Sequence, residues 1–291
     1  MPQPTITPLR AAGRGPRVLT IDAEDWFHVC GHAAYSDPRR WDGYAPRVET
    51  TLGGLFEALA ARGHRATVFF LGWVARRYPQ LVREAARRGH EIGVHGHDHR
   101  RADEMTPGEF RDDLSRARDA IEAAGGAGAT AYRAAEWSIR HPGSAALPEL
   151  AAAGFRCDAS MMPVPPLGRR SNLRGPHRIA GDGWSLTEVP PLTGTVLGVA
   201  LPLGGAWPFR VLPEGLLKRA ERAARDRGEP AVFTFHPWEF DRAHPAMPGL
   251  APVQRTVHFL GLRGLPDRFS RWLAGDRCVA LEDALAELTP A

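Results

Sequence analysis

The sequence predicts an α/β protein in which a parallel sheet is covered by helices and closes into a (β/α) barrel. Apolar, β-branched segments alternate with amphipathic segments of helical period along most of the chain, as in repeated β–α units. Polar residues lie at the carboxyl ends of five of the predicted strands, at Asp22, His95, Arg133, Asp158 and His236. Because the carboxyl ends of barrel strands meet on one face, we expect these residues to share a site.

The predicted strands are short apolar runs bounded by turn residues. Thr67–Leu71 and Ala231–Phe235 are the clearest, because they are rich in β-branched and aromatic residues. The full set of predicted strands is 18–21, 67–71, 91–94, 130–133, 155–159, 185–189 and 231–235.

The predicted helices carry start and stop signals. Thr106 and Glu109 form a capping box around Pro107, and apolar residues follow at helical spacing. Pro79 begins another helix and Gly89 lies just past its end. The full set of predicted helices is about 50–62, 79–88, 106–124, 145–153, 214–227, 267–274 and 279–288.

The chain of 291 residues is expected to form one barrel domain over residues 18–291, preceded by an N-terminal extension over 1–17. Nine prolines interrupt residues 160–213, which predicts a long Pro/Gly-rich insertion with one strand at about 185–189. No segment approaches the ~20 consecutive apolar residues that a membrane span requires.

Composition indicates a globular protein without a nucleic-acid partner. The hydrophobic fraction of 43% and charged fraction of 24% are ordinary, and the basic residues behind the net charge of +4 are scattered. Cys30, Cys157 and Cys278 lie far apart, which argues against a disulfide framework. The N-terminus lacks the apolar core of a secretory signal, so a cytoplasmic location is expected. The oligomeric state is left open, a homo-oligomer being one option.

Three histidines at alternate positions, His95, His97 and His99, end the strand predicted at 91–94. Neutral imidazole is the commonest protein ligand for divalent transition metals. If the chain turns after Val94, positions i and i+4 share a face, so His95 and His99 can bind one ion while His97 points away.

An acidic cluster, Asp22, Glu24 and Asp25, ends the first predicted strand. In an extended segment Asp22 and Glu24 project together and Asp25 points elsewhere, whereas a turn could reverse this choice. Either Glu24 or Asp25 can therefore supply a carboxylate to the ion. Two imidazoles, one carboxylate and an open coordination position are typical of a hydrolytic metal site.

Two further strand ends suit acid–base chemistry. His236 is held in place by Pro237 and can be a third metal ligand or a general acid. A cation at Arg133 beside Asp22 would keep that carboxylate ionised, as a general base requires. The sequence has no Gly-x-Ser-x-Gly elbow, so a metal-activated water is a better candidate nucleophile than serine.

These motifs resemble the NodB-homology polysaccharide deacetylases, carbohydrate esterase family 4. The resemblance rests on five landmarks in order: 19–25 ending in Asp25, His95-x-x-x-His99, Arg133 after an aromatic residue, 155–160 around Asp158, and 235–237 around His236. Within the superfamily, segments 22–27, 204–213 and 236–241 are similar to the exosortase-associated deacetylases of exopolysaccharide gene clusters. The likeness covers roughly residues 18–275.

The resemblance implies a distorted (β/α) barrel of about seven strands, a divalent metal that is usually zinc, and removal of an acetyl group from an N-acetylated sugar. It implies these roles by position: His95 and His99 as metal ligands with Glu24 preferred over Asp25, Asp22 as general base, Arg133 as its partner, and His236 as general acid.

The chain departs from the family pattern at Arg133, where the usual Arg-x-Pro is replaced by Arg133-Ala-Ala135, followed by Glu136 and Trp137. The extra carboxylate could compete for Arg133, or could contact a substrate amine or hydroxyl. Tryptophans in strand-end loops can stack on sugar rings or simply pack. The residues predicted to bind a carbohydrate substrate are Trp26, Glu136, Trp137, Asp158 and Trp238.

The first functional hypothesis is a metal-dependent N-deacetylase of a polysaccharide or lipid-linked saccharide. The second is a hydrolase of another C–N bond, in a small amide or cyclic imide, on the same fold. An open groove would favour the first, and a closed pocket under residues 160–213 the second. The third is an inactive carbohydrate-binding barrel, which the joint presence of Asp22, His95, His99 and His236 argues against.

Overall fold

A computed structural model describes residues 3–30, 32, 34–196 and 198–291 of the chain. The strands are β1 (Thr5–Ala11), β2 (Arg17–Ala23), β3 (Thr67–Phe70), β4 (Glu91–Val94), β5 (Ala131–Tyr132), β6 (Cys157–Asp158), β7 (His177–Gly181), β8 (Trp184–Glu188), β9 (Gly194–Val196), β10 (Val199–Leu201), β11 (Ala231–Phe235), β12 (Cys278–Val279) and β13 (Leu288–Pro290).

The α-helices lie between and after these strands. They are α1 (Val48–Ala60), α2 (Gly72–Arg77), α3 (Pro79–Arg87), α4 (Pro107–Ala123), α5 (Ala146–Ala152), α6 (Ala206–Val211), α7 (Glu214–Asp226), α8 (Pro252–Phe259), α9 (Leu265–Leu273) and α10 (Leu281–Leu285).

The main sheet is a curled half-barrel in the order β11-β2-β3-β4-β5-β6-β8-β7-β1-β13, and β12 pairs with the start of β2. The seven strands from β11 to β8 are parallel to one another. Antiparallel pairing then adds β7, β1 and β13 at one edge. The predicted α/β barrel of about seven strands is therefore confirmed, with an antiparallel extension.

Burial follows the sequence pattern in the elements that position the site. All seven residues of β2 are buried, as expected for a parallel strand covered on both faces. In α4 the predicted capping box between Thr106 and Glu109 forms, and the buried face carries apolar residues at helical spacing. That face is Phe110, Leu114, Ala117 and Ile121.

Several elements were not predicted. The N-terminal segment 1–17 contains β1, which is mostly exposed and pairs with β7 and β13. The proline-rich segment 160–213 contains β7, the β9–β10 hairpin with Gly198 at φ 80°, and α6 as well as the expected strand. No helix in the described ranges combines the length and apolar character needed to cross a bilayer.

Candidate active site

Adjacent strands of the half-barrel bring four predicted residues to one face. Asp22 is at the carboxyl end of β2, His95 follows β4, Arg133 follows β5 and His236 follows β11. These strands lie in one continuous parallel stretch, so their carboxyl ends point the same way.

Glu24, His95 and His99 form a compact buried group. The Glu24 Oε1 atom lies 2.8 Å from His95 Nε2 and 3.0 Å from His99 Nε2. All three residues are buried, and one ligand atom of each lies within 4.8 Å of the others. The expected pairing of positions i and i+4 around one point is therefore present.

The backbone between the two histidines turns sharply. Gly96 has φ 75°, where a Cβ would come within 2.8 Å of Asp113 Oδ2. His99 itself has φ 51°, a left-handed conformation that is uncommon for a residue other than glycine. This turn directs both Nε2 atoms at Glu24. His97 is buried, its backbone N–H donates to Asp113, and its side chain is not part of the group.

Each imidazole is also held at Nδ1. His95 Nδ1 donates to the backbone oxygen of Arg133 at 2.7 Å, and His99 Nδ1 is 3.4 Å from Cys30 Sγ. A neutral His95 therefore presents its Nε2 lone pair to the Glu24 carboxylate. Two lone pairs at this distance are stabilised by a positive charge between them.

The electrostatics of the group also favour a cation. Burial alone would raise the pKa of Glu24, but the charges of His99 and His236, together with its close contacts to the rings of His95 and His99, hold it well below its usual range. Burial would lower the pKa of His99, and the charges of Glu24 and Cys30 raise it well above its usual value instead. An ionised carboxylate with two imidazoles is a donor set that fits a divalent metal.

Asp25 lies outside this group. Its carboxylate accepts hydrogen bonds from the backbone N–H groups of Trp26 at 2.9 Å, Arg47 at 2.7 Å and Val48 at 3.0 Å. Arg47 is the N-cap residue of α1 and Val48 is its first residue, so Asp25 caps that helix from a distant part of the chain. Of the two candidate carboxylates, the structure places Glu24 beside the histidines and Asp25 at the helix.

Asp22 lies between Arg133 and His236. Arg133 Nη1 donates to Asp22 Oδ1 at 2.8 Å, and His236 Nε2 is 3.8 Å from Asp22 Oδ2. The Arg133 guanidinium is only 1% exposed and lies between the rings of Phe69 and Trp137, with centroids at 4.5 and 4.9 Å. This packing fixes the cation against one oxygen of Asp22 and leaves the other facing His236.

Glu239 holds the other nitrogen of His236 and was missed from the sequence. Its Oε2 accepts from the His236 backbone N–H at 3.0 Å and lies 3.2 Å from Nδ1. Arg210 Nη1 lies 3.5 Å from Glu239 Oε1. The signal was the i+3 spacing within His236-Pro-Trp-Glu239, where Pro237 begins a 3₁₀ turn.

The charges around His236 favour its protonated form. Burial opposes the charge, but Glu24, Glu239 and Asp22 outweigh it and raise the pKa of His236 to about 9. A protonated imidazole beside Asp22 can donate a proton to a leaving group.

Three of the predicted substrate-binding residues border one cavity. Glu136, Trp137 and Trp238 line a cavity of about 520 Å³ that reaches His236. Glu136 and Trp137 have φ 51° and 57°, so strained backbone places both side chains there. Trp238 is half-buried and stacks on His258 at 4.4 Å.

The other two predicted substrate-binding residues, Trp26 and Asp158, are buried and do not line this cavity. Trp26 packs among Phe27, Tyr35 and Tyr44 and donates from Nε1 to the backbone oxygen of Ala45 at 3.0 Å. The 0%-exposed Asp158 carboxylate accepts from Ser160 and lies opposite Glu188 of β8.

Two family models match consecutive parts of the chain. Residues 42–155 match "Polysaccharide deacetylase", and residues 159–285 match "Domain of unknown function (DUF3473)". No curated protein matches the sequence. The first match covers His95, His99 and Arg133, whereas His236 and Glu239 lie in the second. The residues of the candidate site are therefore divided between the two matched segments.

Solved structures share the fold. A candidate polysaccharide deacetylase from Mycobacterium smegmatis is 21% identical with a TM-score of 0.62, over 97% of this chain and 93% of that one. A family 4 carbohydrate esterase from Streptomyces lividans is 16% identical with a TM-score of 0.50, over 96% and 99%. BA3943 from Bacillus anthracis, a family 4 pseudoenzyme, is 14% identical with a TM-score of 0.50, over 94% and 66%. At these identities the likeness establishes the carbohydrate esterase family 4 barrel fold.

Proposed function

We propose that this protein is a metal-dependent hydrolase that removes the N-acetyl group from an amino sugar of a polysaccharide or lipid-linked saccharide. One observation carries the proposal: the Glu24–His95–His99 group lies beside the Asp22–Arg133 pair and the His236–Glu239 pair. The first suits a metal, the second a general base and the third a general acid. We propose that the metal is zinc and that the protein is located in the cytoplasm.

Glu24, His95 and His99 would hold the metal, which when bound would polarise the amide carbonyl and acidify a water molecule. Asp22 would take the proton of the attacking water at Oδ2, the oxygen that faces His236 rather than Arg133. Arg133 fixes the orientation of the Asp22 carboxylate through its 2.8 Å contact with Oδ1.

Collapse of the tetrahedral intermediate needs a proton on the departing nitrogen. His236 would supply it from Nε2, because its Nδ1 faces Glu239 and its ring borders the cavity. Glu239 orients the ring and stabilises the imidazolium, and thus acts as a positioning residue. The C–N bond breaks as the proton moves, leaving acetate and the free amine.

The shape of the cavity favours a large substrate over a small amide. Residues of the 160–213 segment, such as Met162 and Leu167, form part of its wall. Trp207 of the same segment and Val253 outside it also line the cavity and remain exposed to solvent at 38% and 75%. The segment therefore does not seal the cavity, which leaves room for a saccharide chain.

Metal analysis combined with acetate release from N-acetylglucosamine oligomers tests the proposal. We expect one divalent metal per chain and measurable acetate. His95→Ala should lose the metal. Asp22→Asn should keep it and lose turnover on the order of 10²–10⁴-fold, because the general base is gone.

A surface change gives the matched control: Asp226→Asn, at an exposed ion pair with Arg14, should leave both metal and turnover unchanged. Full turnover in Asp22→Asn would remove Asp22 from the role of base. Stoichiometric metal without acetate release from any amino sugar would instead favour an inactive carbohydrate-binding barrel.

A further inference from the structure

The cavity beside His236 has one strongly apolar side. Four residues, here called the apolar rim, form it: Trp207, Leu250, Val253 and Val257. Val253, Val257 and Trp207 are 75%, 43% and 38% exposed, so the rim is open to solvent while continuous with the cavity wall. Isolated exposed apolar residues are ordinary, but a contiguous group at the mouth of a cavity indicates a binding surface.

Helix α8 presents half of this rim. Val253 and Val257 are four residues apart and therefore lie on one face of the helix. Every residue of α8 is at least partly exposed. The helix is nevertheless held at its C-terminal end, where Arg210 donates to the backbone oxygens of Val257 and His258, each at 3.0 Å. The valines are thus fixed in place without being covered by the protein itself.

The position of the rim at the mouth of the cavity restricts which kind of molecule can cover it. An occupant of the rim also enters the cavity that reaches His236. A protein partner bound to the rim would block the sugar from the site. The group that covers the rim is therefore expected to be part of the substrate itself. That molecule must be polar where it meets Glu136 and apolar where it meets α8.

We infer that the substrate is an amino sugar joined to a long aliphatic chain, as in a lipid-linked saccharide, and that the chain lies along the apolar rim. This inference rests on the proposed function and narrows its substrate class. The sugar would lie near Glu136, Trp137 and His236, with the chain passing between Trp207 and Val257. The rim would then contribute to substrate affinity rather than to the chemical step.

The test compares methyl and octyl 2-acetamido-2-deoxyglucopyranoside as substrates for the metal-loaded protein. Because burial of each methylene group is favourable, we expect the KM for the octyl glycoside to be at least about tenfold lower. V253S and V257S should bring the two KM values together. The matched control is V199S: Val199 is 58% exposed on β10 and does not line the cavity, so both KM values should be unchanged.

The outcomes separate this inference from the proposed function. Acetate release with equal KM values for the two glycosides, or an octyl preference that survives V253S and V257S, would overturn the inference alone. If neither glycoside is hydrolysed, calorimetric binding of the octyl glycoside still tests the rim. In another outcome, V253S loses binding to bare phosphatidylglycerol vesicles, or loses self-association, while its preference for the octyl glycoside is unchanged. That result would assign the rim to a membrane or to a second copy of the chain and overturn the inference.

Discussion

Glu239 holds the backbone and the ring of His236 in place. It accepts from the His236 backbone N–H and faces Nδ1, and Arg210 lies beside its second oxygen. A carboxylate behind an imidazole selects the tautomer and stabilises the protonated ring. Its contribution should therefore appear in the chemical step and not in metal binding.

Glu239→Gln tests this assignment. The amide keeps an oxygen that can accept from the His236 backbone but loses the charge, so we expect kcat to fall about 10–100-fold with KM and metal content unchanged. Steady-state acetate release and metal analysis measure these quantities. Glu149→Gln, which removes a surface carboxylate paired with Arg111 at 2.8 Å, is the matched control and should retain full kcat. A normal kcat in Glu239→Gln would show that His236 needs no such partner.

Helices and strands could be predicted from the sequence where one face of the element is buried. Helix α4 could be located from the sequence because Thr106 and Glu109 mark its start and its apolar face is buried at a regular spacing. Helix α8 could not, because it is exposed along its length and has no such periodicity to detect. Asp22, His95, His236 and Asp158 were all predicted as site residues because each is a polar residue at the carboxyl end of a predicted strand. Residue type and position along a strand do not reveal which of these side chains is buried under neighbouring residues, as Asp158 is.

The choice between Glu24 and Asp25 depended on another element, the start of α1. Asp25→Ala should leave the backbone N–H groups of Arg47 and Val48 without their acceptor. We expect a loss of unfolding free energy on the order of 2–3 kcal/mol, measured by urea denaturation, with metal stoichiometry retained.

Glu24→Ala is the partner experiment to Asp25→Ala and should do the reverse, abolishing metal binding. Loss of metal in a folded Asp25→Ala variant would reverse the assignment of the two carboxylates.

For the whole molecule, the half-barrel is completed by parts of the chain that lie far apart in sequence. Strand β8 follows a proline-rich stretch yet pairs in parallel with β6, and β1 joins the same sheet from the N-terminus. Such pairing is not visible in local patterns, because β1 is mostly exposed and β6 has two residues. The number of parallel strands could be predicted, whereas the antiparallel edge could not.

The seam between β6 and β8 places Asp158 opposite Glu188, both fully buried. Burial raises the pKa of Asp158 to about 6, and burial together with the Asp158 charge raises the pKa of Glu188 well above its usual value. The unfolded chain releases these protons near the ordinary values of 3.8 and 4.5. Between about pH 4.5 and the raised pKa values the folded state thus binds more protons than the unfolded state, and stability falls as pH rises.

Glu188→Gln should weaken this pH dependence. Each proton held only in the folded state contributes a slope of up to about 1.4 kcal/mol per pH unit, and glutamine has no proton to release. We expect the fall in unfolding free energy between pH 5 and pH 8 to be smaller in the variant than in the wild type, as measured by urea denaturation at each pH. Glu149→Gln on the surface should retain the wild-type slope. An identical slope in Glu188→Gln would show that the pair does not link folding to pH, and that Asp158 and Glu188 ionise within the fold at little cost.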